Sequence, residues 1–165
     1  MLVEAGYLER KKYLYGIPYL YTVTHKGRML IGANKRADTL RLERIIHDVS
    51  ILDSVIFFIG KANISLNRIT SEKELHSADG FGHRRHYPDF VIDGNVAVEI
   101  EIALKSKERL RKNIEANYLE YDSQYWIVSE NPKLNKLMQE FQSEYSNLKT
   151  IKLEEVKMYV NDNTK

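Results

Sequence analysis

Three acidic residues stand close enough in the sequence to act together: Asp89, Glu99 and Glu101. The two glutamates are spaced two apart in Val96-Ala97-Val98-Glu99-Ile100-Glu101-Ile102, a run that suits a strand. A period of two puts both carboxylates on one face with Ala97, and Val96, Val98, Ile100 and Ile102 on the other. Asp89 opens a shorter apolar run ending at Ile92, and Asp93-Gly94-Asn95 between the runs is strong turn chemistry, so the two runs are expected to form a hairpin. Two registers are open. A tight turn at Asp93-Gly94 would send Asp89 to the face away from the glutamates. A three-residue connection pairs Ile92 with Val96 and Phe90 with Val98, keeps the core face apolar, and brings Asp89 opposite Glu99; it is the expected one.

Carboxylates held side by side repel, and a cation between them relieves that repulsion. Hard oxygen donors suit Mg²⁺ or Mn²⁺, which polarise a phosphate and lower the pKa of a bound water. Asp89 and Glu99 are therefore the expected metal ligands, with Glu101 completing the site. Other groups have two readings each. Glu43 and His47, one helical turn apart, are either second-sphere or metal groups or a satisfied pair on a helix flank. Glu72 and Glu74 either add a carboxylate or are ordinarily exposed. His83-Arg84-Arg85-His86 reads as a phosphate-contacting loop beside the site, since two histidines alone are a weak zinc signal.

The elements that must position these groups follow from periodicity. Asp38 or Thr39 can cap a long, mostly buried helix whose apolar residues run from Leu42 to Ile59 and which ends at Gly60. Ile69 to Leu75 reads as a first strand, Ala78 to His86 as a loop, and the carboxylate hairpin follows. Ser106 caps a helix with the apolar face Leu110, Ile114, Tyr118 and Tyr121; Tyr125 to Val128 forms another strand; Asn131-Pro132 starts a further helix; Ile151 to Val160 alternates like a last strand. The expected class is α/β, in the order helix, three-stranded meander, helix, strand, over 37–160, with a polar tail at 161–165.

Residues 1–36 differ in character. They hold seven Lys or Arg against two Glu, and two tyrosine-rich runs flank the turn signal Tyr15-Gly16-Ile17-Pro18. A helix end at Gly6 followed by a β-hairpin is expected. Arg10, Lys11, Lys12, Lys26 and Arg28 there, with Arg84 and Arg85 in the loop and Lys107 and Arg111 on the helix after Ser106, are the expected DNA-backbone contacts.

Taken together these motifs resemble known families. Leu2, Gly6-Tyr7-Leu8, the basic Arg10 to Lys12 and Tyr21-Thr22-Val23-Thr24 are similar to the last third of a winged helix-turn-helix, in which a recognition helix ends at the glycine and two strands form the wing; the chain begins where that helix would be ending. Pro88-Asp89 with Glu99-x-Glu101 resembles the motifs of the PD-(D/E)xK nuclease superfamily, and the element order resembles its core. More narrowly, Pro88-Asp89, Val98-Glu99-Ile100-Glu101 and Lys105-Ser106, together with His47-Asp48 and Ser71 to Leu75, resemble the replication-relaxation family of plasmid and mobile-element proteins, which joins a winged helix to such a domain. The resemblance implies a DNA-binding protein of plasmid replication or mobilisation, with replication or mobilisation proteins as further partners, and a metal-dependent nuclease-like domain. The chain departs from the pattern at Glu101, where a lysine is usual. Some restriction enzymes of the superfamily carry a glutamate there and remain active, while other members have lost catalysis. Lys105 or Lys107 could reach back to supply the charge, and Lys105 is the candidate taken as catalytic. The alternative is a non-catalytic DNA-binding or assembly module that keeps the fold.

Composition sets outer bounds. Over 165 residues, 43% are hydrophobic and 29% charged, which is ordinary for a folded domain plus a small appendage. The absence of cysteine removes disulfides and thiolate zinc sites, and with no signal-peptide pattern a cytoplasmic location is expected. The most apolar stretch is interrupted by His47, Asp48 and Asp53, which argues against membrane insertion. The net charge of +2 is too small to imply a partner by itself.

Overall fold

The computed structural model describes residues 1–12, 19–33, 44–80 and 85–163. The expected helix start at Asp38 or Thr39, Glu43, His83, Arg84 and the turn at Tyr15 to Pro18 lie outside them. The chain divides into two compact units, Met1–Ile45 and Ile46–Lys165.

In the first unit, residues 1–6 close a turn that ends as a helix does. Gly6 has φ +75°, the Tyr7 N–H bonds the Leu2 carbonyl at 2.9 Å and the Gly6 N–H bonds the Val3 carbonyl at 3.0 Å. That pair of bonds around a left-handed glycine is a Schellman motif, and it satisfies carbonyls that a helix end leaves open. Strands β1 (Leu8–Lys11) and β2 (Leu20–Val23) then pair antiparallel. The hairpin region does not continue as extended chain: Thr24 caps a short helix α1 (His25–Leu30), accepting from the Gly27 N–H, so Lys26 and Arg28 are helical. Gly27 is required there, because a Cβ would lie 2.2 Å from the Tyr7 carbonyl oxygen.

The second unit is a mixed α/β domain built on a five-stranded sheet in the order β3-β4-β5-β6-β7. Helix α2 (Ile45–Ala62) runs past Gly60, which is not its end. Asn63, at φ +50°, takes the left-handed position that stops it. Gly60 instead lets Tyr159 approach, whose hydroxyl would lie 2.1 Å from a Cβ there. Strand β3 (Ile69–Ser71) is shorter than the expected Ile69 to Leu75. Ser71 and Glu74 form a capping box that opens helix α3 (Glu72–Asp79), so Glu72 and Glu74 are helical and Glu74 is engaged as a cap.

Strands β4 (Phe90–Ile92) and β5 (Val96–Glu101) form the expected hairpin in the three-residue register, with Phe90 opposite Val98 and Ile92 opposite Val96. Asp93 and Gly94 both take positive φ, and Arg68 forks onto the Asp93 carboxylate. Asn95 is the extra residue; its carbonyl accepts the Asp122 N–H at 3.0 Å. Helix α4 (Lys107–Glu120), capped by Ser106, leads to β6 (Ser123–Val128), which runs parallel to β5. Helix α5 (Pro132–Glu144), capped by Asn131, leads to β7 (Leu148–Lys152), parallel to β6. The last segment is not a strand through Val160: helix α6 (Leu153–Asn163) begins at Leu153 and includes most of the expected polar tail. Its buried Leu153 and Val156, and Tyr159 packed beside them, recur every three residues, a helical spacing that a period of two does not give.

Both sheet faces are covered. Phe57 and Phe58 of α2 with Leu153 and Val156 of α6 pack on Phe90, Val98, Ile100 and Ile127. Leu110 and Ile114 of α4 with Leu134, Met138 and Phe141 of α5 pack on Trp126 and Val128. Each fully buried side chain of this size contributes about 1.5 to 3 kcal/mol. One consequence concerns β5 directly: the face that carries Ala97, Glu99 and Glu101 is as buried as the apolar one. No helix among the described residues is long and apolar enough to cross a membrane.

Candidate active site

The three acids meet just before β4 begins, where β5 runs on past its β4 partner while still paired with β6. Beyond Phe90 the antiparallel ladder stops, and Pro88 has no N–H to continue it. Asp89 supplies a side-chain substitute, its Oδ2 accepting the Ile100 N–H at 2.8 Å. The Ile100 carbonyl lies 3.2 Å from His47 Nε2, and the same nitrogen is 3.5 Å from Asp89 Oδ2. Both neighbours are acceptors, so the geometry calls for the proton on Nε2. Asp89 and His47 thus engage the N–H and the carbonyl of one residue of β5, Ile100, and His47 joins the site from α2.

Glu99 is 7% exposed and Glu101 is 2% exposed, and each is held by the chain itself. Glu99 Oε1 accepts from His86 Nε2 and, at 3.1 Å, from the Asn117 amide on α4. Glu101 Oε2 pairs with Lys105 Nζ at 2.6 Å, four residues on at the strand end. Burial pushes the Glu99 carboxyl above the usual range; the His86 bond pulls it back and the Asp89 charge pushes it further up. Burial likewise raises Glu101, with Lys105 opposing and the Asp89 charge adding to the rise. Asp89 thus acts on both glutamates, as expected of an acid that the register brings beside them.

His86 is fixed from behind. Arg85 bridges Asp79 of α3 and Glu120 of α4, Tyr87 donates to the same Asp79 carboxylate, and the Arg85 guanidinium lies 4.8 Å over the Tyr87 ring. Arg85 therefore anchors this segment rather than standing ready for phosphate. Lys107 pairs with Glu140 and Arg111 with Glu144, so the basic side of α4 is matched by acids of α5. In the first unit, Arg10 and Lys12 lie over the Tyr19 ring, Lys11 pairs with Glu9, and Lys26 donates to the Ala5 carbonyl at 2.8 Å, closing the Schellman turn.

Asn117 is the site residue that the sequence reading passed over. It is 1% exposed, whereas Tyr118, expected on the buried face, is 43% exposed. The signal was present: Asn117 stands three residues after Ile114 and seven after Leu110, so it is a polar side chain on an apolar helix stripe. Such a residue needs a buried partner. Glu99 is that partner.

Asp89 and Glu99 are the side chains that could hold a hard divalent ion. Among the described residues no group of three or more His, Asp or Glu forms a ready-made cage. Two carboxylates suit an ion that keeps several waters and takes further oxygens from a phosphate, as Mg²⁺ does. The pair also sits at the carboxyl end of β5, the end of parallel strands at which α/β sheets bind ligands. No family model, curated protein or solved structure matches this chain.

Proposed function

We propose that the second unit is a metal-dependent, nuclease-like domain of the PD-(D/E)xK type and that the chain associates with DNA in plasmid replication or mobilisation, in the cytoplasm. The observation that carries this reading is the three-residue register of β4 and β5, with Asp89 acting electrostatically on both Glu99 and Glu101. The element order supports it too, with α3 as an insertion between the first two strands of the meander. In this reading Asp89 and Glu99 would hold Mg²⁺ or Mn²⁺, which would supply water activation and phosphate polarisation when bound, and Lys105, carried to the site by its pair with Glu101, offsets the developing negative charge. The first unit resembles the end of a winged helix, and with Lys11, Lys12 and Arg28 it supplies backbone contacts.

A second reading, a binding or assembly module that does not cut, is favoured by a specific observation. Glu101 is neutralised by Lys105, and Glu99 already has two donors in His86 and Asn117, so the acids are satisfied without an ion. Incubating supercoiled plasmid with Mn²⁺ separates the two. The nuclease reading expects nicking by the wild type, and loss of about a hundredfold or more in Asp89→Asn and Lys105→Ala, because each removes charge from the reacting centre. Equal or absent nicking in all three proteins leaves only the module.

A further inference from the structure

The β1–β2 ribbon carries a pattern that positive charge alone does not explain. Directly opposed residues of an antiparallel pair share a face, and Arg10 stands opposite Tyr21 and Leu8 opposite Val23. Arg10 lies 4.2 Å and Lys12 5.8 Å from the centre of the Tyr19 ring, which puts both cations and Tyr19 on that same side. Tyr21 is 55% exposed, Tyr19 46% and Val23 42%. The opposite side holds the half-buried Leu20 and Thr22 together with the Glu9–Lys11 ion pair. The ribbon therefore turns its aromatic side outward, against the usual inward placement of apolar side chains, and no carboxylate shares that side among the described residues.

We propose that this face is a stacking platform for single-stranded nucleic acid, with bases lying on Tyr19 and Tyr21 and the phosphates met by Arg10 and Lys12. A single strand offers what both halves of the face need, a row of flat rings beside a row of negative charges. A duplex hides its base faces in its own stack and would leave the tyrosines unused. The inference builds on the proposed association with DNA, yet it involves none of the hairpin carboxylates, so it stands or falls apart from catalysis.

The test is fluorescence anisotropy of the full chain with labelled oligothymidylate, oligouridylate and a mixed-sequence duplex. Wild type should bind the single strands more tightly than the duplex, with affinity falling as salt rises. Tyr21→Thr keeps a strand-forming residue and removes the ring; it should weaken single-strand binding by about tenfold or more and change duplex binding by no more than about twofold. Tyr21→Phe should retain binding, and Tyr19→Thr should repeat the loss. Equal binding of the two oligonucleotides fits stacking that ignores the sugar, and preference for one assigns the platform to DNA or RNA. Unchanged single-strand affinity in both threonine variants, with their unfolding temperatures preserved, overturns the platform while leaving duplex association intact. Failure of the wild type to bind any of the three probes overturns both.

Discussion

Two antiparallel hairpins among the described residues treat charge in opposite ways. The β1–β2 ribbon is a pair by itself and leaves its cations and tyrosines in solvent. The β4–β5 hairpin lies within a five-stranded sheet with helices on both faces, and its two strand glutamates, Glu99 and Glu101, are buried. An exposed charge in high dielectric needs little compensation from its own chain, so contacts such as the Lys11–Glu9 pair contribute little to stability. A buried carboxylate must be compensated, and Glu99 has His86 and Asn117 while Glu101 has Lys105 and a backbone hydrogen bond from Ala103. Charge is thus carried at the surface in one hairpin and inside the sheet in the other, and depth of burial decides how much of it the chain must compensate.

Asn117→Asp should break that compensation most severely. The change keeps shape, removes a donor 3.1 Å from Glu99 Oε1, and puts a second carboxyl beside a buried one. In metal-free buffer near neutral pH the loss of unfolding free energy should be about 3 to 5 kcal/mol, the cost of leaving a buried charge unpaired. Urea denaturation measures it. A loss below about 1 kcal/mol would mean that Glu99 is reached by water and that the contrast between the hairpins is one of sequence only.

Two lysine–glutamate pairs allow a matched comparison. Lys11 and Glu9 are 2.9 Å apart with both side chains about half exposed, while Lys105 and Glu101 are 2.6 Å apart with the glutamate side chain 3% exposed. Lys11→Ala should change stability by no more than about 0.5 kcal/mol, and added salt should erase the difference. Lys105→Ala should cost about 1 to 3 kcal/mol, less than a fully buried pair because Lys105 itself is partly exposed. Equal costs in the two variants would remove burial as the distinguishing factor.

How much of this could be read from the sequence depended on whether the signal was local. The β4–β5 register was legible, since only one alignment keeps Phe90, Ile92, Val96 and Val98 on one face. The class, α/β with a meander and crossover strands, was legible for the same reason. Segments in which a cap competes with a strand pattern were not: Ile69 to Leu75 has strand-like content, but Ser71 and Glu74 close a capping box and the helix prevails. Likewise Leu153 to Val160 alternates on paper while its buried residues sit at helical spacing. The partners of the acids were the least legible, because they arrive from three separate places: His47 from α2, His86 from the segment before β4, and Asn117 from α4. Nothing in the spacing of one strand announces them. The pairing of Lys107 and Arg111 with Glu140 and Glu144 belongs with these, since a basic run on α4 says nothing of the acids that α5 lays beside it.

The smallest of the expected effects has the most informative sign. Burial, aided by the Asp89 charge, holds the Glu99 carboxyl above the ordinary 4.5, and the His86 bond only partly offsets the rise. Folded protein then binds more protons at this position than unfolded protein does, so the slope of stability with pH from this group is negative. Its contribution is fully present below about pH 4.5 and is lost as pH rises through the folded value. Glu99→Gln removes the titration while retaining an oxygen that His86 and Asn117 can reach. In metal-free buffer the variant should match the wild type below about pH 4.5 and exceed it above, by a margin that grows until pH passes the folded value, measured as the difference in unfolding temperature across a pH series. Glu101, Glu140 and Glu144 titrate in both proteins, so their contributions cancel in the difference. Added Mn²⁺ should reverse the order at pH 8, because an ion stabilises the chain that retains the carboxylate ligand. A difference that stays flat with pH would show that His86 and Asn117 compensate Glu99 completely, and the buried hairpin would then carry its charge as easily as the exposed one.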